Sequence, residues 1–178
     1  EQMRFFQGYA CANGRVGTRN YIAVISSVNC SASVSHYVRD RFRTPEFKRD
    51  FPNVDGVVAF THKGGCAMDT GEPQQVLQRV LAGIARHPNI SGYVMIGLGC
   101  EMNQVGLLRQ NYDLANIKPG ECVPTFMTIQ GTGGVRKRLA TRNLDPCWFG
   151  ADGEWRIEPP LEQQPACGQQ RRGDEREN

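Results

Sequence analysis

The chain has 178 residues, 39% of them hydrophobic and 22% charged, with 20 Gly and a net charge of +3. That composition is ordinary for a globular domain and excludes a wholly disordered chain, and no run of about 18 apolar residues offers a membrane-crossing helix. Seven scattered cysteines and the absence of an apolar leader in residues 1–4 read as a cytoplasmic protein, not a secreted disulfide scaffold.

Residues 1–20 read as a lead-in. Four short apolar runs follow, at residues 21–28, 54–61, 93–99 and 123–129, each β-branched or aromatic and bounded by turn formers. Most are continuous rather than alternating, which suits strands buried on both faces, as in a parallel sheet. Between the first two, residues 31–43 place Val34, Val38 and Phe42 on one helical stripe. Residues 73–87 begin with Pro73 in a first turn and align Val76, Val80, Gly83 and Ile84, with Leu77 and Leu81 alongside. Residues 105–112 form a shorter helix candidate, and 135–142 a last one, opened by Gly133-Gly134.

This alternation predicts an α/β fold: a mostly parallel, Rossmann-like sheet of about four strands with flanking helices, over residues 21–144. Beyond it, over 145–178, Pro159-Pro160, paired Gln and mixed charges leave little to bury, so a poorly structured tail is expected. Trp148 and Trp155 are its two candidates for docking on the body. Within the body, Phe51-Pro52-Asn53-Val54-Asp55-Gly56 is echoed by His87-Pro88-Asn89-Ile90-Ser91-Gly92. Two βα units using the same turn chemistry account for the echo.

The charge is unevenly spread. Residues 1–144 hold seventeen basic and ten acidic side chains, a balance of +7, while the tail is net acidic. A basic body invites an anionic partner. Aromatics are not interleaved with Lys and Arg, so a small anion is favoured over nucleic acid.

Candidate chemistry lies where three cysteines fall. Cys30 follows the first strand, Cys66 ends the loop His62-Lys63-Gly64-Gly65-Cys66 after the second, and Cys100 follows the third in Gly97-Leu98-Gly99-Cys100-Glu101. In a parallel sheet these strand ends share one edge, where α/β proteins bind ligands. Cys30, Cys66 and Cys100 are candidate metal ligands, joined by His62 as ligand or base, and the set suits iron or zinc alike. His62 and Glu101 are the candidate acid–base pair. Asn29, Gly65, Gly99 and Asn103 are candidate substrate or anion contacts, since glycine lets backbone N–H groups approach a bound group. Against this stands a plainer reading, in which buried thiols act as small hydrophobes and the glycines only close the fold. Cys11, Cys122, Cys147 and Cys167 have no comparable context. Gly97-x-Gly99 lacks the third glycine of a dinucleotide fingerprint, Met102 standing in its place.

In combination these stretches resemble the altronate/galactarate dehydratase family of sugar-acid hydro-lyases. The resemblance rests on Gly8-Tyr9, Gly14-Arg15-Val16-Gly17-Thr18-Arg19-Asn20, Val28-Asn29-Cys30-Ser31-Ala32 and Asn53-Val54-Asp55-Gly56-Val57-Val58. It continues through His62-x-x-Gly65-Cys66, Arg86-His87-Pro88-Asn89 and Gly97 to Gln104, with a weaker echo in Thr128-Ile129-Gln130. It covers roughly residues 8–138 and implies the middle domain of a three-domain cytoplasmic lyase that dehydrates a hexonate or hexarate. It also implies an iron requirement, a small N-terminal and a larger C-terminal domain as partners, and pairing into a homodimer. The family's C-terminal Cys-Gly-Gly-Ser-Asp region is absent, and the segment after about Arg138 departs from the family pattern. An isolated middle domain is therefore expected to be catalytically incomplete. Two readings of another class remain beside it: a structural dimerisation module, and a stand-alone thiolate metal-binding domain.

Overall fold

A computed structural model describes residues 8–10, 14–116 and 124–134 of the chain. The helix expected at 135–142, the tail from 145, and Cys11, Cys122, Cys147, Cys167, Trp148 and Trp155 lie outside the described residues.

A two-residue antiparallel hairpin, β1 (Tyr9–Ala10) with β2 (Val16–Gly17), leads into β3 (Tyr21–Ser26). A 3-10 turn at Asn29–Ser31 runs directly into α1 (Ala32–Arg41), followed by α2 (Pro45–Asp50), β4 (Gly56–Phe60), α3 (Glu72–Ala85) and β5 (Ile90–Gly97). α4 (Val105–Asn111), a second 3-10 turn at Leu114–Asn116 and β6 (Thr125–Thr128) complete the described chain. The four longer strands form one fully parallel sheet in the order β4-β3-β5-β6, with Val24 opposite Ala59 on one side and Val94 on the other.

The continuous apolar runs of the central strands β3 and β5 are explained by burial on both faces. Ile22 and Val24 of β3 join Val34, Val38, Phe47, Val57 and Val94 in a cluster under α1 and α2. Ala23 and Ile25, pointing the other way, join Leu81, Ala82, Ala85, Met95 and Leu108 under α3 and α4. The sheet is therefore the middle of three layers.

Two features of the helices differ from the sequence reading. α2 went unanticipated because it is only six residues long. Its start is nevertheless well specified: the Thr44 hydroxyl caps the Phe47 N–H at 3.3 Å, and Pro45 occupies the first turn. Phe47 then packs between Phe42 and Phe51, with ring centroids 5.5 and 5.2 Å away. In α3 the inward face belongs to Gln78, Leu81, Ala82 and Ala85, whereas Val76 and Val80 are 42% and 54% exposed. The aligned valines sit on the rim of the apolar arc. Gln78 takes an inward position because its side-chain oxygen accepts a 3.0 Å hydrogen bond from the Asn111 amide of α4.

Residues 17–20 are bound at the amino edge of the sheet. The Asn89 side chain accepts from Thr18 N at 2.8 Å and Arg19 N at 3.4 Å, while Asn20 pairs with Asp55 and the Asn53 carbonyl. Both Pro-Asn turns thus grip one segment, which gives the internal echo a structural purpose. Among the described residues no helix is long and apolar enough to cross a membrane.

Candidate functional site

The strand order reverses direction between β3 and β5, because the chain goes from β3 to β4 on one side and then crosses to β5 on the other. Ligand crevices of open α/β sheets lie outside the carboxyl ends of the strands at such a switch point. Three loops meet here, after β3, β4 and β5. Backbone hydrogen bonds stitch them together: Asn29 N to Gly64 O at 2.9 Å, Asn103 N to Gly65 O and Met102 N to Cys66 O, both at 3.2 Å. The three cysteine-bearing loops are thus held to one another at this edge of the sheet.

The crevice itself is filled from within. Glu101 is 1% exposed, and its carboxylate accepts hydrogen bonds from the Ser27 hydroxyl at 3.0 Å, from Leu98 N at 3.2 Å and from Gly99 N. Gly97 makes room for it: a Cβ there would run into Glu101 Oε1 and stand 2.6 Å from Val105 Cγ2. Gly65, with φ +95°, lies so close to the preceding loop that a Cβ would stand 2.7 Å from Ser27 O. At these two positions close packing of chain on chain demands glycine. Asn103 is fully buried beside them, its amide donating to Ser27 O at 2.8 Å while Oδ1 has no partner among the described residues.

His62 is half-buried. Its Nε2 lies 3.0 Å from the Ser26 carbonyl, which can only accept, so Nε2 carries the proton; Nδ1 is then free to accept the Gly64 N–H at 3.2 Å. Burial lowers its pKa, and the bond to Ser26 opposes that shift only in part. The ring is therefore neutral at pH 7, with both nitrogens engaged within its own loops.

Cys30, Cys66 and Cys100 are free and exposed. Hydrogen bonding to the neighbouring Cys30 thiol pushes the Cys66 thiol up, with the charge of Cys30, desolvation and Glu101 adding to the effect. Cys30 and Cys66 are thus brought together. Among the described residues, no three His, Cys, Asp or Glu side chains converge as a metal-binding group. Of the expected iron or zinc set of Cys30, Cys66, Cys100 and His62, the thiols of Cys30 and Cys66 meet, while the His62 ring is turned to the Ser26 carbonyl.

Of the expected acid–base pair, both His62 nitrogens and the Glu101 carboxylate are engaged here in hydrogen bonds that hold the loops. Asn29, Gly99 and Cys100 remain exposed on the same edge. Two residues of this edge escaped the sequence reading. Ser27, which binds Glu101, was read as part of an apolar strand, although the Ser26-Ser27 doublet breaking that run was a signal. Gln130 packs against Gly99, whose added Cβ would meet its Oε1 at 2.6 Å; only the short Thr128-Ile129-Gln130 echo pointed to it.

The sequence model for the second domain of D-galactarate dehydratase/altronate hydrolase matches residues 8–143. The chain is 34% identical to altronate dehydratase of Escherichia coli (strain K12) and 29% identical to altronate dehydratase of Bacillus subtilis (strain 168). Each alignment covers 65% of this chain but 22% of the relative. Identity to the galactarate dehydratase (L-threo-forming) of Escherichia coli (strain K12) is 42%, over 56% of this chain and 19% of the relative. The chain therefore spans about a fifth of the length of these curated relatives. No solved structure matches it.

Proposed function

The chain belongs to the D-galactarate dehydratase/altronate hydrolase second-domain family, and on that premise we propose that it serves as one part of a hydro-lyase that removes water from a sugar acid. The observation that carries this reading is the family match over residues 8–143, which contains all three strand-end loops. The substrate class is a hexonate or hexarate, such as the altronate and galactarate for which the relatives are named. The +7 balance of residues 1–144 fits a polyanionic sugar acid. Free, exposed thiols fit a reducing, cytoplasmic compartment.

Dehydration beside a carboxylate needs a base for the C–H proton and an acid for the departing hydroxyl. On this reading Asn29, Cys30, Cys66, Gly99 and Cys100 form the face turned toward substrate, while His62, Glu101 and Asn103 are positioning residues that keep the loops at their separations. The proton-transferring groups, and the ligands of any iron, come from the parts of the relatives that this chain does not span. Those N- and C-terminal domains, and a second copy of the subunit, are its proposed partners.

The self-satisfied packing around Glu101 favours a second reading for the chain on its own, that of a catalytically silent scaffold. An anaerobic dehydration assay with ferrous iron on altronate and galactarate separates the two. The chain is tested alone and together with the Escherichia coli altronate dehydratase lacking its matching segment. Turnover only in the mixture supports a part of the enzyme. If the relative's own segment restores turnover and this folded chain never does, on either acid, the proposal fails.

A further inference from the structure

We propose that Cys30 and Cys66 form a peroxide-sensitive dithiol that closes to a disulfide across the β3 and β4 loops. Both thiols are exposed and free, and they neighbour each other. Their backbones are already tied close by: Asn29, adjacent to Cys30, donates to the Gly64 carbonyl at 2.9 Å, and Gly65, adjacent to Cys66, lies against Ser27 and Val28. The two loops that carry these thiols are thus held against each other by backbone contacts. A disulfide needs that kind of constraint, since it forms without strain only over a narrow range of backbone spacing.

The two cysteines take different roles. Cys30 lies in the 3-10 turn that continues into α1, so it occupies the first turn of a helical run ending at Arg41. The thiolate is the attacking form, and the hydrogen bond with Cys30 that holds the Cys66 thiol up casts Cys66 as the resolving partner. The Cys30 thiolate attacks one oxygen of hydrogen peroxide; the O–O bond breaks, and the departing hydroxide takes a proton to leave as water. The resulting Cys30 sulfenic acid is then attacked by the Cys66 sulfur, forming the S–S bond and releasing the second oxygen as water. In sum, two thiols lose two electrons, one peroxide is reduced, and two waters form. Thiol exchange with a reductant reopens the pair. The closed form pins together two of the three loops of the switch-point edge, independently of which substrate that edge serves.

Trypsin separates these cysteines cleanly, Cys30 falling in peptide 20–39, Cys66 in 64–79 and Cys100 in 87–109. The full chain, reduced and freed of reductant, is treated with stoichiometric hydrogen peroxide, alkylated, digested and read by mass spectrometry. The expected result is a linked 20–39/64–79 pair as the main oxidised species of these three peptides, abolished by dithiothreitol. Cys66→Ser is expected to leave a dimedone-reactive sulfenic acid on Cys30, and Cys30→Ser to leave Cys66 alkylatable. The proposal is overturned if both cysteines of the wild-type chain stay alkylatable while others oxidise. It is equally overturned if either one links preferentially to a different cysteine. The wild-type measurement stands alone should a serine variant fail to fold.

Discussion

Ser27 and Glu101, separated by 74 positions in the chain, meet in a buried 3.0 Å hydrogen bond that joins the ends of the two central strands. The carboxylate also satisfies two backbone N–H groups of its own loop, so it works as the internal plug of the switch-point crevice. Removing it strands the buried Ser27 hydroxyl and takes the partner from two part-buried backbone donors. Glu101→Ala is expected to cost about 3 kcal/mol of unfolding free energy, and Glu101→Gln about 1–3 kcal/mol, because an amide presents a donor where an acceptor is needed. Ser27→Ala should cost less than either, since two donors to Glu101 survive it. Urea denaturation of the chain checks the order; a change within about 0.5 kcal/mol for Glu101→Ala would show the carboxylate to be dispensable.

The glycines of this chain divide into those that packing requires and those it does not. Gly97→Ala and Gly65→Ala each force a Cβ into occupied space, and Gly65 also has φ +95°. Each is expected to destabilise the fold by about 1–3 kcal/mol. Gly83, inside α3, has nothing within 4 Å of its would-be Cβ. Gly83→Ala should therefore stabilise by about 0.5–1 kcal/mol through helix propensity alone. Thermal melts of the three variants must separate in sign; a common sign would refute the packing argument.

The strands were legible as short apolar runs, most fully in the central pair β3 and β5, which are buried on both faces, and glycines beside Cys66 and Cys100 marked the loops after β4 and β5. What the local pattern could not carry was direction. His62 and Glu101 looked poised for acid–base work because their residue types are reactive. Whether a ring nitrogen meets solvent or the Ser26 carbonyl depends on a strand 36 positions away. Likewise, α3 shows an apolar arc wider than the surface it covers. Which edge of the arc turns inward was decided by the fit of Leu81, Ala82 and Ala85 against β3 and β5, not by spacing within the helix.

His62 is expected to make the fold acid-sensitive. Burial holds its pKa below the ordinary 6.5, so as pH falls the unfolded chain takes up the proton first. The stability tied to the neutral ring is complete above about pH 6.5 and is lost as pH falls from there through the depressed folded-state value. Urea midpoints between about pH 7.5 and about pH 5.5 should therefore drop more steeply in the wild type than in His62→Gln. Long-range nitrogen–proton NMR correlations should also report an Nε2–H tautomer. An Nδ1–H ring, or a pKa at or above 6.5, would contradict the engaged geometry.

Adjacent positions in α3 offer the sharpest test of which face the sheet sees. Leu81 is 2% exposed and Val80 54% exposed, although both belong to the same apolar stretch. Leu81→Ala removes side-chain volume from between α3 and the sheet and is expected to cost about 2–5 kcal/mol. Val80→Lys exchanges an apolar surface group for a solvated one and should leave stability within about 0.5 kcal/mol of wild type. Both effects are read from urea denaturation of the same chain. Equal losses at the two positions would mean that Val80 is covered in solution, and a larger loss at Val80 would reverse the assignment of the buried face.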